Sequence, residues 1–211
     1  TASALQNGRY EVRMQLASGG LSAVYLAKMV PNTRVVLKES VLPPDTDDRT
    51  RLKAKELFER EGRLLSRLDH PQIAKVLDFF VEEGRDYIAL EYIPGVSLRQ
   101  FIKSDNYRDE QKIVAWAAQL ADILCYLHEL DPPIIHRDLT PDNLLARDDG
   151  KVALIDFGVS NEFISQATGT LVGKQAYIAP EQFRGKAEPK SDIYSFGATL
   201  HFLLTGEDPE P

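Results

Sequence analysis

The chain has 211 residues, of which 43% are hydrophobic and 27% are charged, a composition that excludes wholesale disorder, collagen-like repeats and disulfide-stapled miniproteins. Its 25 Lys and Arg against 32 Asp and Glu give a formal net charge of −7, the wrong sign for binding nucleic acid by bulk electrostatics. The single cysteine excludes an intrachain disulfide, and no apolar run predicts a membrane span.

The N-terminal part of the chain predicts a small β-rich lobe. Strand-like runs bounded by turn residues are expected at 10–16, 23–27, 35–42, 73–81 and 87–92. One helix is indicated between the third and fourth runs, because Leu57, Leu64, Leu65 and Leu68 recur at helical spacing. The dipeptide His70-Pro71 is expected to end that helix.

The character of the chain changes at Pro94-Gly95, which is the best candidate boundary. Long helices are expected beyond it, at about 111–130 and 191–204. The prediction is an α+β fold with two lobes. Residues 1–93 would form an N-lobe with a five-stranded sheet and one helix, and residues 94–211 a mainly helical C-lobe.

Two charged residues fall at positions that the pattern predicts to be apolar. Lys38 ends the run Val35-Val36-Leu37, and Glu61 lies on the apolar stripe of the predicted helix. The ordinary alternative for Glu61 is a carboxylate at the edge of the stripe that reaches water. Because an unpaired buried lysine is costly, we favour an ion pair between Lys38 and Glu61.

Three side chains with oxygen atoms are expected to converge in the second lobe: Asp138, Asn143 and Asp156. A β-hairpin pattern lies between the last two, with its turn at 148–150, so antiparallel pairing would bring Asn143 and Asp156 side by side near Asp138. Hard oxygen ligands suit Mg²⁺, which commonly shares its shell with substrate phosphates. The alternative is that Asp138 and Asn143 only cap turns.

A glycine-containing strand, turn and strand runs from Leu16 to Tyr25. Its small residues, Gly19 and Gly20 among them, would let backbone N–H groups approach phosphate oxygens. An ordinary hairpin turn also uses glycine, so this segment alone does not separate phosphate binding from a simple turn.

In chain order, these segments resemble a eukaryotic-type protein kinase domain from about Tyr10 to the end of the chain. His136-Arg137-Asp138-Leu139 is similar to that family's catalytic loop, Asp156-Phe157-Gly158 to its metal-binding motif, and Ala179-Pro180-Glu181 to the end of its activation segment. The segments 19–27 and 179–182 resemble those of bacterial serine/threonine kinases. The resemblance implies a C-lobe truncated after the helix that contains Asp192.

The resemblance also implies a role for each matching residue. Lys38 would hold the α- and β-phosphates of ATP, and Glu61 would orient it. Asp138 would accept the proton of the substrate hydroxyl, and Asn143 and Asp156 would bind Mg²⁺. The other positions expected to contact ATP are Leu16, Gly19, Gly20, Val24, Val36, Leu90, Glu91, Ile93 and Leu145, with Leu90 as gatekeeper and the backbone of Glu91 and Ile93 at the adenine.

The sequence departs from the family pattern in the catalytic loop. Thr140 stands where serine/threonine kinases carry Lys, and Lys174 stands where they carry Thr. We interpret this as an exchange in which Lys174 reaches Asp138 from the activation segment. The alternative is a solvated Lys174 and a slow or inactive enzyme. Other departures are Ala17 and Ser22 at two glycine positions of the family, and Val36 at a position that is usually alanine.

The function that this resemblance implies is transfer of the ATP γ-phosphoryl group to Ser or Thr hydroxyls of a protein substrate, with Mg²⁺. The alternatives are a pseudokinase or nucleotide-binding scaffold, and a small-molecule kinase of related fold. Expected partners are ATP and a protein, with no nucleic acid and no membrane segment in the chain. Autophosphorylation is expected at Thr168 or Thr170, because a phosphate there could neutralise the cation of Arg137; the alternative is that both are plain loop threonines. The expected location is the cytoplasm, or the cytoplasmic portion of a membrane-anchored kinase.

Overall fold

The protein is described by a computed structural model over residues 4–19, 22–42, 46–104, 109–157 and 175–210. The strands are β1 Ala4–Leu5, β2 Tyr10–Gly19, β3 Ser22–Met29, β4 Thr33–Ser40, β5 Val76–Glu82, β6 Arg85–Glu91, β7 Val96–Ser97, β8 Leu144–Ala146 and β9 Val152–Leu154. The α-helices of this part are α1 Asp48–Leu65, α2 Leu98–Ser104, α3 Glu110–His128 and α4 Pro189–Thr205. The predicted α+β architecture of a β-rich lobe followed by a helical lobe is confirmed.

The sheet of the N-lobe has six antiparallel strands in the order β1-β2-β3-β4-β6-β5. The prediction of five strands was wrong by one, because β1 has only two residues and is too short to show an alternating pattern. The strand expected at 73–81 begins at Val76, since Ile73 instead forms an isolated bridge to Leu154 of the C-lobe.

One face of this sheet is held by a stack of three aromatic rings. The ring of Phe80 lies 5.2 Å from that of Tyr10 and 5.1 Å from that of Tyr87, both nearly parallel to it. The hydroxyl of Tyr10 donates to Asp78 at 2.9 Å, and that of Tyr87 donates to Glu39 at 3.1 Å. The stack therefore ties β2 to the distant edge strand β5 and curls the sheet.

The helix α1 covers the other face. Its Phe58 is buried in a cluster with Leu90 of β6, while Leu65 near its C-terminus belongs to the core of the C-lobe. The apolar stripe differs in part from the predicted one, since Leu57 and Leu64 are only partly buried. Because one helix packs on both lobes, its position depends on how they meet.

The C-lobe is organised around α3, which begins at the N-cap Asp109 and buries a continuous apolar face against α4 and the β8–β9 hairpin. That hairpin confirms the pattern found between Asn143 and Asp156. No helix in the described ranges has the length and apolar character needed to cross a bilayer.

The segment between the lobes contains a glycine that the packing requires. A Cβ atom added at Gly95 would lie 2.6 Å from the backbone oxygen of Ala146, because β7 pairs closely with β8 here. No larger residue fits without a shift of the backbone.

Replacing Gly95 by Ala is expected to lower the free energy of unfolding by about 1 kcal/mol or more, since a backbone clash forces β7 away from β8. Gly197→Ala is the matched control. Gly197 lies within α4 with no atom within 4 Å of an added Cβ, so alanine is expected to raise the free energy of unfolding by about 0.5–1 kcal/mol. Chemical denaturation measures both changes, and equal effects would contradict this account.

Candidate active site

A buried lysine forms the centre of the site. Lys38 shares a face of β4 with Val36, and only 4% of its surface is exposed. Its Nζ lies 2.8 Å from Oδ1 of Asp156. The lysine thus has an ionic partner, as its burial demands, and Asp156 is such a partner. Glu61 lies in α1 and its side chain is outside the described part of the chain, so its pairing with Lys38 stays a prediction.

Asp156 lies two residues after the end of β9, and its side chain and that of the next residue, Phe157, lie in different surroundings. Its Oδ1 also accepts the backbone N–H of Phe157 at 2.9 Å, and 37% of the Asp156 side chain is exposed. Phe157 is 4% exposed and joins the core of the C-lobe, where its ring lies 4.6 Å from that of His136. Because Phe157 is held in the core, the Asp156 side chain beside it is directed toward Lys38.

Asp138 and Asn143 are in direct contact. Nδ2 of Asn143 donates to both the carbonyl oxygen and Oδ2 of Asp138, each at 2.9 Å. The N–H of Ile155 donates to the carbonyl oxygen of Asn143 at 3.1 Å, which places Asn143 beside the residue that precedes Asp156. The hairpin therefore brings these residues to one place, as its pairing predicted.

The segment that resembles a catalytic loop, which begins at His136, is held in place by a buried carboxylate. Asp192 is 0% exposed and accepts the backbone N–H groups of His136 and Arg137, each at 2.9 Å. Nε2 of His128 lies 2.8 Å from the same carboxylate. Arg137 has φ of 71°, a left-handed conformation that costs a non-glycine residue about 1 kcal/mol or more, and the two N–H bonds hold it there. The N-cap of α4 is Glu188, and Asp192 lies in the first turn of that helix.

His136 is buried as a neutral ring. Burial lowers its pKa, against the opposing influence of the carboxylates of Asp192 and Asp156. Its Nδ1 accepts the N–H of Asp138 at 3.2 Å, so Nε2 carries the hydrogen and donates to the carbonyl oxygen of Asp156. One ring thereby connects the two acidic residues of the site through their backbone.

Five of the apolar residues that the resemblance predicts to contact ATP fall into two groups in the structure. In the N-lobe, Val36 pairs with Leu90, which is 6% exposed, and Val24 lies on the neighbouring strand opposite Lys38. In the C-lobe, Leu145 packs against Ile93 in a separate cluster.

The remaining predicted nucleotide contacts lie at the edges. Leu16 is 47% exposed on β2, and Gly19 ends that strand, whereas Gly20 is outside the described residues. The N–H of Glu91 donates to the carbonyl oxygen of Lys75 at 2.8 Å.

The activation segment is described only from Gln175 onward. Lys174, Thr168 and Thr170 lie outside the described residues, so the predictions made for them stay predictions. Thr140 is 5% exposed. The pKa of the Arg137 guanidinium is lowered by burial and by the nearby cation of Arg60 on α1. Two arginines from different lobes thus lie close enough to repel each other.

Among the described residues, no group of three or more His, Cys, Asp or Glu side chains is arranged to hold a metal ion. The predicted site has one carboxylate, Asp156, and one amide, Asn143. Such a pair is completed by water and by phosphate oxygens, as is usual for Mg²⁺.

The low pKa of His136 gives a prediction for stability. Below pH 6.5, the ordinary pKa of histidine, His136 is protonated in the unfolded chain but stays neutral in the folded one. The free energy of unfolding is therefore expected to decrease as the pH is lowered below about 6.5. Urea denaturation from pH 8 to 5 measures this, and His136→Gln should reduce the slope. His201→Gln, at an exposed histidine, is the control; the same slope in wild type and His136→Gln would refute the assignment.

The family of the chain follows from comparison with known proteins. Residues 10–211 match the family model of the protein kinase domain, so the chain belongs to the protein kinase domain family. Serine/threonine-protein kinase B of Synechocystis sp. is 35% identical over 219 residues, covering 97% of this chain and 38% of that protein. Serine/threonine-protein kinase PrkC of Bacillus subtilis is 31% identical over 207 residues, covering 96% and 31%.

The resemblance to bacterial serine/threonine kinases is confirmed by these relatives. Serine/threonine-protein kinase PknL of Mycobacterium tuberculosis is also similar, at 35% identity over 98% of this chain and 52% of that protein. The chain spans about a third to a half of the length of these curated relatives.

Solved structures agree with the fold. The apo form of PpkA-294 has a TM-score of 0.82 and 26% identity, covering 95% of this chain and 77% of that one. Rad53 1-466 in complex with AMP-PNP has a TM-score of 0.78 and 25% identity, covering 97% and 50%.

Proposed function

We propose that this chain is the catalytic domain of an ATP-dependent protein serine/threonine kinase. The observation that carries the proposal is the ion pair of buried Lys38 with Asp156, beside the contacting residues Asp138 and Asn143. In protein kinases a lysine of the N-lobe sheet binds the phosphates and an aspartate of the C-lobe binds Mg²⁺, and Lys38 and Asp156 match this arrangement. The names of the bacterial relatives support Ser and Thr as the acceptors.

The side chains of Asn143, Asp156 and Lys38 fit a magnesium ion and a nucleoside triphosphate. Asp156 supplies carboxylate oxygens, and Asn143 has its amide nitrogen committed to Asp138, which leaves the amide oxygen to bind a cation. Asn143 and Asp156 would therefore hold Mg²⁺, and Lys38 the phosphates. When bound, Mg²⁺ neutralises charge on the phosphate oxygens during transfer.

The residues of the chain supply orientation and a site for one proton. Lys38 is fixed in a strand between β3 and β6, so its ammonium group needs little rearrangement to bind phosphate. Asp138 is held by Asn143 and by the loop that Asp192 anchors. Its carboxylate would accept the proton of the substrate hydroxyl as the oxygen attacks phosphorus.

The adenine would lie between the apolar residues Val24, Val36 and Leu90 on one side and Leu145 on the other. The backbone of Glu91 and Ile93 would form its hydrogen bonds. Val36 is larger than the alanine usual in the family, so the cleft would be narrower above the ring. We place the boundary between the lobes at residues 93 and 94, immediately after these backbone groups. The single cysteine suits the reducing cytoplasm, where we place the domain.

Lys38→Met is expected to lower kcat for Mg-ATP-dependent phosphorylation at least a hundredfold and to leave the fold intact, because it removes the cation that orients the phosphates. Transfer of labelled phosphate to a generic protein substrate measures this, with Asp138→Asn as a second inactive variant. Lys75→Met is the matched control, since Lys75 pairs with Asp69 on the surface.

Mass spectrometry identifies the acceptor residues. Phosphate on Ser and Thr supports the proposal, whereas wild-type turnover in Lys38→Met would contradict it. A protein that binds Mg-ATP with no detectable transfer would instead favour a pseudokinase scaffold, an alternative that the departure at Thr140 keeps open.

Autophosphorylation at Thr168 or Thr170 belongs to the same proposal. Burial and the cation of Arg60 both lower the pKa of the Arg137 guanidinium. A phosphothreonine would add charge-assisted hydrogen bonds to these cations. The mass spectra should therefore place phosphate at one of these threonines.

We also infer that Lys174 replaces the lysine that the catalytic loop lacks at Thr140. If Lys174 has taken that role, Lys174→Ala is expected to lower kcat at least tenfold, because an ammonium group near Asp138 stabilises the transferring phosphoryl group. Lys151→Ala, in the β8–β9 turn, is the matched control and should leave kcat unchanged. Equal and small effects of the two substitutions would exclude the replacement.

A further inference from the structure

An arginine that no motif singles out lies beneath the catalytic loop. Arg99 is the second residue of α2, and its side chain is only 11% exposed. Its backbone N–H donates to the carbonyl oxygen of Pro141 at 3.1 Å. Its guanidinium carbon lies 4.3 Å from the centre of the Phe202 ring, which supports the flat face of the group.

The guanidinium joins three separate parts of the chain. Its Nε donates to both carboxylate oxygens of Asp142, at 3.0 and 2.9 Å. Its two terminal nitrogens donate to the carboxylate of Asp208, at 3.2 and 2.8 Å. One of them also lies 3.3 Å from the hydroxyl of Tyr177, which itself donates to Asp208 at 2.7 Å.

Each partner lies next to a functional segment. Asp142 directly precedes Asn143, whose amide contacts Asp138. Tyr177 is 2% exposed and directly precedes Ile178 and the sequence Ala179-Pro180-Glu181 that closes the activation segment.

The helix α4 holds the same two segments in another way. The hydroxyl of Ser195 donates to the carbonyl oxygen of Tyr177 at 2.7 Å, and that of Thr199 donates to the carbonyl oxygen of Leu139 at 3.0 Å. These bonds fix backbone, whereas Arg99 fixes the side chains of Asp142 and Tyr177. Arg99 therefore adds a constraint that α4 does not supply.

We propose that Arg99 is a positioning residue that couples the catalytic loop to the end of the activation segment. By holding Asp142, it sets the orientation of Asn143 and through it the carboxylate of Asp138; by holding Tyr177, it fixes the adjoining segment to the same point. Only a planar guanidinium group with several N–H donors can hydrogen-bond to both carboxylates and to the Tyr177 hydroxyl at the same time. The catalytic part of this proposal rests on the kinase function proposed above.

The test uses Arg99→Met in the full chain, because methionine keeps an unbranched apolar stem over Phe202 and removes every donor. Hydrogen exchange of the nucleotide-free protein, read by mass spectrometry, should become at least threefold faster for amides of 139–143 and 177–178 and stay unchanged in α3. In phosphoryl transfer, kcat should fall at least tenfold while KM for Mg-ATP changes less than twofold.

Arg147→Met is the matched control. It also removes an Arg–Asp pair, formed with Asp149 at 3.1 Å in the β8–β9 turn, but contacts neither segment. It should change neither exchange in 139–143 nor kcat. Asp142→Ala removes the acceptor of the Arg99 Nε–H and should also lower kcat. The double variant should be little worse than Arg99→Met, because both changes break the link between Arg99 and Asp142.

Unchanged exchange in 139–143, faster exchange throughout α3, or an unchanged kcat in Arg99→Met would overturn the proposal. If Arg99→Met does not fold, Arg99→Lys replaces it in the test, because a single ammonium group cannot hydrogen-bond to both carboxylates. Arg99→Lys should show the same faster hydrogen exchange in 139–143 and 177–178. Wild-type exchange in that variant would refute the proposal. A wild-type protein without transferase activity would refute the proposed function, while the exchange experiment would still decide whether Arg99 couples the two segments.

Discussion

An ion pair between a buried lysine and a partly exposed aspartate joins the two lobes at the site. Lys38 belongs to the N-lobe sheet and Asp156 to the hairpin of the C-lobe, and they meet at 2.8 Å although 118 residues separate them. A lysine that is almost fully buried needs a negative partner, because an unpaired charge in this environment is strongly destabilising. The pair therefore restricts how the lobes can approach, and the same two charged groups are those that phosphate and magnesium would contact.

The C-lobe uses a second buried charge to hold its backbone. The carboxylate of Asp192 accepts consecutive N–H groups from His136 and Arg137 and supports the left-handed conformation at Arg137. Neutral His136 then connects to the backbone of Asp138 and Asp156. A single carboxylate on α4 thus sets the position of two acidic residues that it does not itself touch.

Local pattern was enough to predict much of this site. The strand, turn and strand between Asn143 and Asp156 was readable from alternating apolar residues and a turn, and pairing then required the two ends to meet. Glu61 was favoured as the partner of Lys38 because the N-lobe offers few acidic residues on apolar faces, and that pair stays a prediction. The contact of Lys38 with Asp156 was missed, since no local signal relates two residues on different lobes. Arg99 was missed for the same reason.

The sequence by itself determined most of the longer elements, the β8–β9 hairpin and the need of Lys38 for a charged partner, because periodicity and the cost of burying a charge are properties of residues and their near neighbours. The tertiary structure decided which charges meet: Lys38 with Asp156, Asp192 with the loop backbone, and Arg99 with Asp142 and Asp208. That choice depends on how the lobes and helices pack, and packing brings together residues between which the chain carries no local signal.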